Sequence, residues 1–379
     1  MIKSLTTLIP GSVWDIRIRF SLAKVPLVAI LVTLLSFSCS PSSKKEIGNE
    51  NNSPADSASP EFRINSLTSQ ISSDPTNYIL RKERSLLFYK TGNTQKAIED
   101  IDSALVSNKT GPELWHLRGY YQYHLKNDDQ SLLDFKESAR LGSENPETYF
   151  QIGQIYFLKG DLTEADKWYE TAIQKDSLDP QYEFARGILY QQKKDIKTAL
   201  KFFNRSLEKN PGFIRSLASL HDIYFNDFKD YKKAQEFNDR ILKADSLHPV
   251  GHFNEGNQFL DLAMGVFDTT KTKEFEALIQ LAISEYSTAI FSNPAYTQAY
   301  YNRGYCFFQL DEFDPAIADF EKTISLDPRN EKAHFMLGSI QEHFDDIEGA
   351  RIHYQKALDI QPKFKEAAEA VNDLKKIGK

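Results

Sequence analysis

A spacing of 34 residues runs through most of this chain. Gly119, Gly153 and Gly187 keep it, and so do Gly304 and Gly338. A second series begins at Ala97 and continues through Ser131, Ala165 and Ala199, then Ala234, Ala282, Ala316 and Ala350. Four places later a ring usually stands: Phe135, Tyr169, Phe203, Tyr286, Phe320 and Tyr354. Small residues follow three places on (Ala104, Ser138, Ala172, Ala289, Ala357), and Pro211, Pro294, Pro328 and Pro362 punctuate the ends. A glycine inside helical sequence costs about 1 kcal/mol relative to alanine. Its recurrence among aromatics, as in "AYYNRGYCFFQLDEF" (299–313), means that packing needs the missing side chain. Self-similarity at a fixed period of this size implies stacked units, each too small to bury its own apolar face.

The pattern resembles the tetratricopeptide repeat, a helix–turn–helix with an aromatic at position 4, Gly at 8, Ala at 20, an aromatic at 24, Ala at 27 and Pro at 32. Eight such repeats are expected, at 78–111, 112–145, 146–179, 180–213, 214–248, 249–296, 297–330 and 331–364. The fold class expected is all-α, an α-solenoid or superhelix of these repeats with capping helices at both ends. Position 8 of the first helix faces positions 20 and 27 of the second, so small residues let the two backbones approach. Rings at 4, 11 and 24 fill the space between.

The departures are located too. The first repeat has Ser85 in place of the glycine. The fifth has His221 there and one extra residue near Phe228–Tyr231. The sixth carries fourteen extra residues between Gly256 and Ala282, expected to prolong both of its helices by about two turns, with Thr272 capping the second. Residues 61–77 form half a repeat, with Leu67 and Ile71 inward, and 365–379 form a polar closing helix.

The N-terminus belongs to a different class of segment. Arg17, Arg19 and Lys24 precede an apolar run from Val25 to Phe37, too short to span a bilayer comfortably and suited to a signal core. It ends on Cys39 and resembles a bacterial lipoprotein signal, although Ser36 and Phe37 depart from the usual residues before such a cysteine. The resemblance implies a signal peptide at 1–38 and a lipid on Cys39. It also implies an extracytoplasmic location, at the outer membrane or the periplasmic face. Residues 39–60 are rich in Ser, Asn and Pro with almost no large apolar side chains, the composition of a flexible tether.

Several chemistries are not expected. The net charge is −7, and the first 38 residues carry +3, leaving −10 for the remainder. That balance argues against a nucleic-acid partner. The sequence holds no HExxH, no glycine-rich phosphate loop and no recognisable Ser–His setting. No catalytic residue, cofactor or metal is expected; His248 and His252 are four apart, but Pro249 between them marks a helix start. Cys306 lies in an apolar helical run, where a thiol is a small hydrophobe.

What remains is a binding surface. The resemblance implies that positions 2, 5, 9 and 12 of each first helix line a concave groove. The candidate partner-binding residues are Tyr120, Tyr123, Phe150, Phe157, Phe184, Phe253, Asn257, Tyr301, Tyr305, Phe308 and Phe335. Rings with amides around them suit a peptide or protein partner. Packing of positions 5 and 12 against adjacent repeats is the competing account. The chaperone-tail clamp seen in some of these arrays is not expected, because Phe253 and Met336 stand where it needs cations. The function expected is a non-catalytic interaction scaffold, lipid-anchored in the envelope. The alternative is a glycan- or small-ligand-binding accessory lipoprotein, which the three tryptophans (Trp14, Trp115, Trp168) serve poorly.

Overall fold

The computed structural model describes residues 59–266 and 272–377; the signal, Cys39 and almost all of the tether lie outside them. Among the described residues there are eighteen α-helices and no strand, and consecutive helices pack as pairs. A half-repeat helix, α1 (Pro60–Ser73), is followed by the hairpins α2 (Tyr78–Lys90)/α3 (Thr94–Ser107), α4 (Pro112–His124)/α5 (Asp128–Arg140), α6 (Pro146–Leu158)/α7 (Leu162–Lys175) and α8 (Pro180–Gln192)/α9 (Ile196–Lys209). Then come α10 (Ile214–Asp222)/α11 (Tyr231–Ala244), α12 (Pro249–Val266)/α13 (Lys273–Ser292), α14 (Thr297–Gln309)/α15 (Phe313–Leu326) and α16 (Glu331–His343)/α17 (Ile347–Ile360), closed by α18 (Lys365–Ile377). The chain forms two compact units that part inside α10, after Ser216. No described helix is long and apolar enough to cross a membrane.

Local sequence explains the breaks. Proline opens α4, α6 and α8, where its missing N–H is not needed. Asp161, Asp195, Asp230 and Asp346 each accept a backbone N–H at the start of a second helix. The turns between paired helices place one residue in the left-handed region: Gly92, Lys126, Gly160, Lys194, Lys229, Asp311 and Asp345. Five of the seven are not glycine, so a tight turn is kept at a cost of about 1 kcal/mol each.

Within a hairpin the glycine gap is filled by the ring at position 24. A Cβ on Gly153 would lie 2.6 Å from Tyr169, on Gly187 2.5 Å from Phe203, and on Gly338 2.7 Å from Tyr354. The alanines at position 20, Ala165, Ala199, Ala316 and Ala350 among them, are wholly buried.

Two irregularities differ from the sequence expectation in detail. The extra residue of the fifth repeat is absorbed as a π-turn at Ile223–Asp227, upstream of where it is expected. It leaves His221 buried and stacked on Phe225, with ring centroids 5.5 Å apart. The insertion lengthens α12 to 18 residues and α13 to 20, against 13 and 14 in the next hairpin. That is about one and a half added turns apiece rather than two. Leu260, Ala263, Phe275 and Ile279 give the extension its own small core, and Thr272 caps α13 through Phe275 N–H. The closing helix α18 is amphipathic rather than polar, with Ala367, Ala370, Val371 and Leu374 buried.

Candidate functional site

The rings at position 5 answer to packing. In hairpin after hairpin this side chain lies on the ring at position 24. Centroid separations are 5.4 Å for His116–Phe135, 5.6 Å for Phe150–Tyr169 and 5.7 Å for Phe184–Phe203. They are 5.8 Å for Phe253–Tyr286, 5.7 Å for Tyr301–Phe320 and 5.3 Å for Phe335–Tyr354. The far side of several of these rings is covered by a ring from the end of the same repeat or, for Phe150, from the next one. Phe150 meets Tyr182, Phe184 meets Phe213, Phe253 meets Tyr296 and Phe335 meets Phe364. Phe150, Phe184 and Phe335 are buried, as is Phe157 at position 12, and these four offer no surface to a partner. Phe253 and Tyr301 are half-buried in the same role. Burial also holds the Tyr301 phenol well above its ordinary pKa.

Positions 9 and 12 of α4 and α14 are different. Tyr120 and Tyr123 on α4, and Tyr305 and Phe308 on α14, keep part of their surface exposed. Tyr120 stands edge-on to Tyr89 and His124, with centroids 5.4 and 4.5 Å away, so the α4 rings form a fixed cluster. Phe308 meets Phe313 edge-on at 6.0 Å. Tyr305 is pushed up to about 12, chiefly by burial, so its hydroxyl stays protonated. Asn257 is committed internally: its Oδ1 accepts from Tyr286 Oη and from Asn302 Nδ2, both at 2.8 Å, tying α12, α13 and α14 together. This amide network holds the two asparagines that a tail clamp would use.

A polar device that the sequence analysis missed links positions 7 and 23. Arg84 chelates Asp100, Arg118 chelates Asp134 and Arg303 chelates Asp319, each through Nε and Nη2. All three carboxylates are nearly or fully enclosed. The recurring Arg–Asp separation of sixteen residues is the signal that could have found it. Arg186 departs, reaching back to Asp166 at 2.7 Å because Phe202 holds position 23.

In α12/α13 those two positions hold Glu255 and Glu285, with His252 beside them. One donor atom from each lies within 4.8 Å of the others. His248, four residues before His252, precedes the helix start that Pro249 marks and accepts Val250 N–H through Nδ1 there. Cys306 is buried, and burial pushes its thiol far above the ordinary range.

The tetratricopeptide repeat profiles match residues 146–176, 297–330 and 331–364, so the chain carries these repeats. The human Tetratricopeptide repeat protein 6 is 26% identical over 112 residues, covering 30% of this chain and 21% of that protein. The chain thus matches about a fifth of that relative's length. Among solved structures, the anaphase-promoting-complex assembly Cut9–Hcn1 aligns with 82% of this chain and 58% of its own at 12% identity, TM-score 0.55. The human IFIT1 dimer with m7Gppp-AAAA aligns with 84% of this chain and 85% of its own at 14% identity, TM-score 0.53. At such identities the likeness is one of fold. A stack of these hairpins is consistent with a protein–protein interaction scaffold.

Proposed function

We propose that this chain is a lipid-anchored scaffold of the cell envelope that holds a protein or peptide partner against the first-helix faces of its repeats and catalyses nothing. The observation that carries this reading is the two pairs of partly buried rings at positions 9 and 12 on α4 and α14, Tyr120 with Tyr123 and Tyr305 with Phe308, each of which keeps part of its surface exposed. Phe150, Phe184 and Phe335 at position 5 are buried, whereas these four rings pack against the core and still keep rigid apolar area next to water. Such area suits a partner's side chains at little entropy cost. The buried thiol of Cys306 has neither the access nor the acidity of a nucleophile, which favours a non-catalytic role. The acidic balance beyond residue 38 favours a protein over a nucleic acid. The run ending on Cys39 supports the anchor.

Photo-cross-linking side chains at Tyr123 and Phe308, in cells, test the groove against the same groups at Val106 and Phe291. Those two are exposed on second helices. Adducts are expected from the first pair alone. Equal yields from all four positions would remove the groove from the proposal. The anchor is read separately: Cys39→Ala should abolish incorporation of labelled palmitate and partitioning into detergent.

A further inference from the structure

Three hairpins satisfy a buried position-23 carboxylate with an arginine from position 7, and α12/α13 sets a carboxylate there instead. No lysine or arginine among the described residues pairs with Glu255 or Glu285. His252 joins them, and its proton can be located. Nε2 lies 3.0 Å from the Ser246 carbonyl oxygen, which can only accept, so Nε2 carries the hydrogen. Nδ1 lies 2.7 Å from Glu285 Oε2, a hydrogen bond whose one proton a metal ion would displace. Glu285 also meets the Glu255 carboxylate. Three potential metal ligands thus converge where three other hairpins place an arginine. The Nε2–H bond to a backbone carbonyl is the support that orients a metal-ligating imidazole and fixes its tautomer. Beside the cluster is a cavity of about 190 Å³ lined by Gln235, Glu255, Gln258, Phe259, Leu281 and Glu285. At about 30 Å³ per water it has room for further ligands.

We propose that His252, Glu255 and Glu285 bind a divalent first-row transition-metal ion, represented by Zn2+, which replaces the arginine charge of the other hairpins and clips α12 to α13. A set of one imidazole and two carboxylates suits Zn2+, Mn2+ or Fe2+, whereas Ca2+ and Mg2+ take oxygen ligands. Tetrahedral bonds of about 2.1 Å place ligand atoms about 3.4 Å apart, so the His252–Glu285 contact opens by about 0.7 Å to admit the ion. Water from the cavity completes the shell. Its place in the longest hairpin gives the clip a purpose, since the added turns extend beyond the repeat.

The test is calorimetric titration of the full-length, chelator-treated chain with ZnCl2. One site per chain is expected, weakened at least tenfold by His252→Ala, Glu255→Gln or Glu285→Gln and unchanged by His248→Ala or His334→Ala. Absence of a site, or affinity unchanged in all three ligand variants, overturns the proposal. A measurement on the unaltered chain guards against variants that misfold. Zn2+ should slow amide hydrogen exchange in 249–266 and 272–292 relative to chelator. Slowing that is absent, or that falls on other hairpins instead, overturns it as well.

Discussion

The hairpins α12/α13 and α14/α15 follow one another and share their packing residues: Gly256, Ala282 and Tyr286 in one, Gly304, Ala316 and Phe320 in the other. Their polar positions invert. Arg303 grips Asp319 with two hydrogen bonds of 2.8 Å and reaches Ser287 of the preceding hairpin at 3.0 Å. Hydrogen bonding to Asp319 holds that guanidinium firmly charged. Its counterparts Glu255 and Glu285 are both carboxylates, and His252 lies 2.7 Å from the second of them. The comparison teaches that apolar packing specifies the hairpin while the charges at 7 and 23 are free to differ. A hairpin can close on an internal ion pair or around an external cation.

The largest expected effect comes from breaking the arginine latch. Arg303→Leu leaves Asp319 enclosed without its partner and should cost about 3 kcal/mol. Replacing both, Arg303→Leu with Asp319→Leu, removes the orphaned charge and should recover much of that loss. Stability of a repeat array is local, so the readout is hydrogen exchange within α14/α15. If the single variant exchanges as slowly as the unaltered chain, the latch contributes nothing and the contrast with α12/α13 loses its energetic meaning.

A smaller effect should separate the two glycines. A Cβ on Gly256 would stand 2.6 Å from Tyr286, whose hydroxyl is held by Asn257; on Gly304 it would stand 3.1 Å from both Asp319 Cβ and Phe320. Gly256→Ala should therefore cost about 1–2 kcal/mol by overpacking. At Gly304 the ring and Asp319 Cβ need give by only a few tenths of an ångström, and the helix-propensity gain of about 1 kcal/mol offsets that, so Gly304→Ala should cost less than Gly256→Ala. Melting temperatures that fall equally for both would mean that the tyrosine hydroxyl does not pin its ring.

Much of this was legible in the residues. The glycine, alanine and ring at positions 8, 20 and 24 are fixed by close backbone approach, and only a few side chains meet that demand, so the pattern survives in the sequence. The groove was less legible. A ring at position 5 serves core packing and partner binding equally well as a residue type. Only the contact of Phe150 with Tyr169 and of Phe335 with Tyr354, and the burial it brings, separates the two uses. The His252–Glu255–Glu285 cluster was hidden by the insertion, which spreads a sixteen-residue pairing over thirty. Comparing positions 7 and 23 across repeats, rather than searching for histidine spacings, would have exposed the missing cation.

The smallest effect, and the most direct trial of equivalence, is to give α12/α13 the other hairpin's solution. Glu255→Arg places a guanidinium at position 7 opposite Glu285, as Arg303 stands opposite Asp319. In chelator the change exchanges a repulsion for an ion pair. Such pairs contribute up to about 1 kcal/mol where water still reaches them, so a gain of that size is expected in the hairpin's resistance to exchange. Glu255→Gln removes the repulsion without adding the pair and should gain less. The ranking matters more than either magnitude, because both variants lose the same carboxylate. Should Glu255→Arg rank below Glu255→Gln, the positions are not interchangeable between the two hairpins, and the lengthened helices have altered the geometry at 7 and 23 as well as the reach of the repeat.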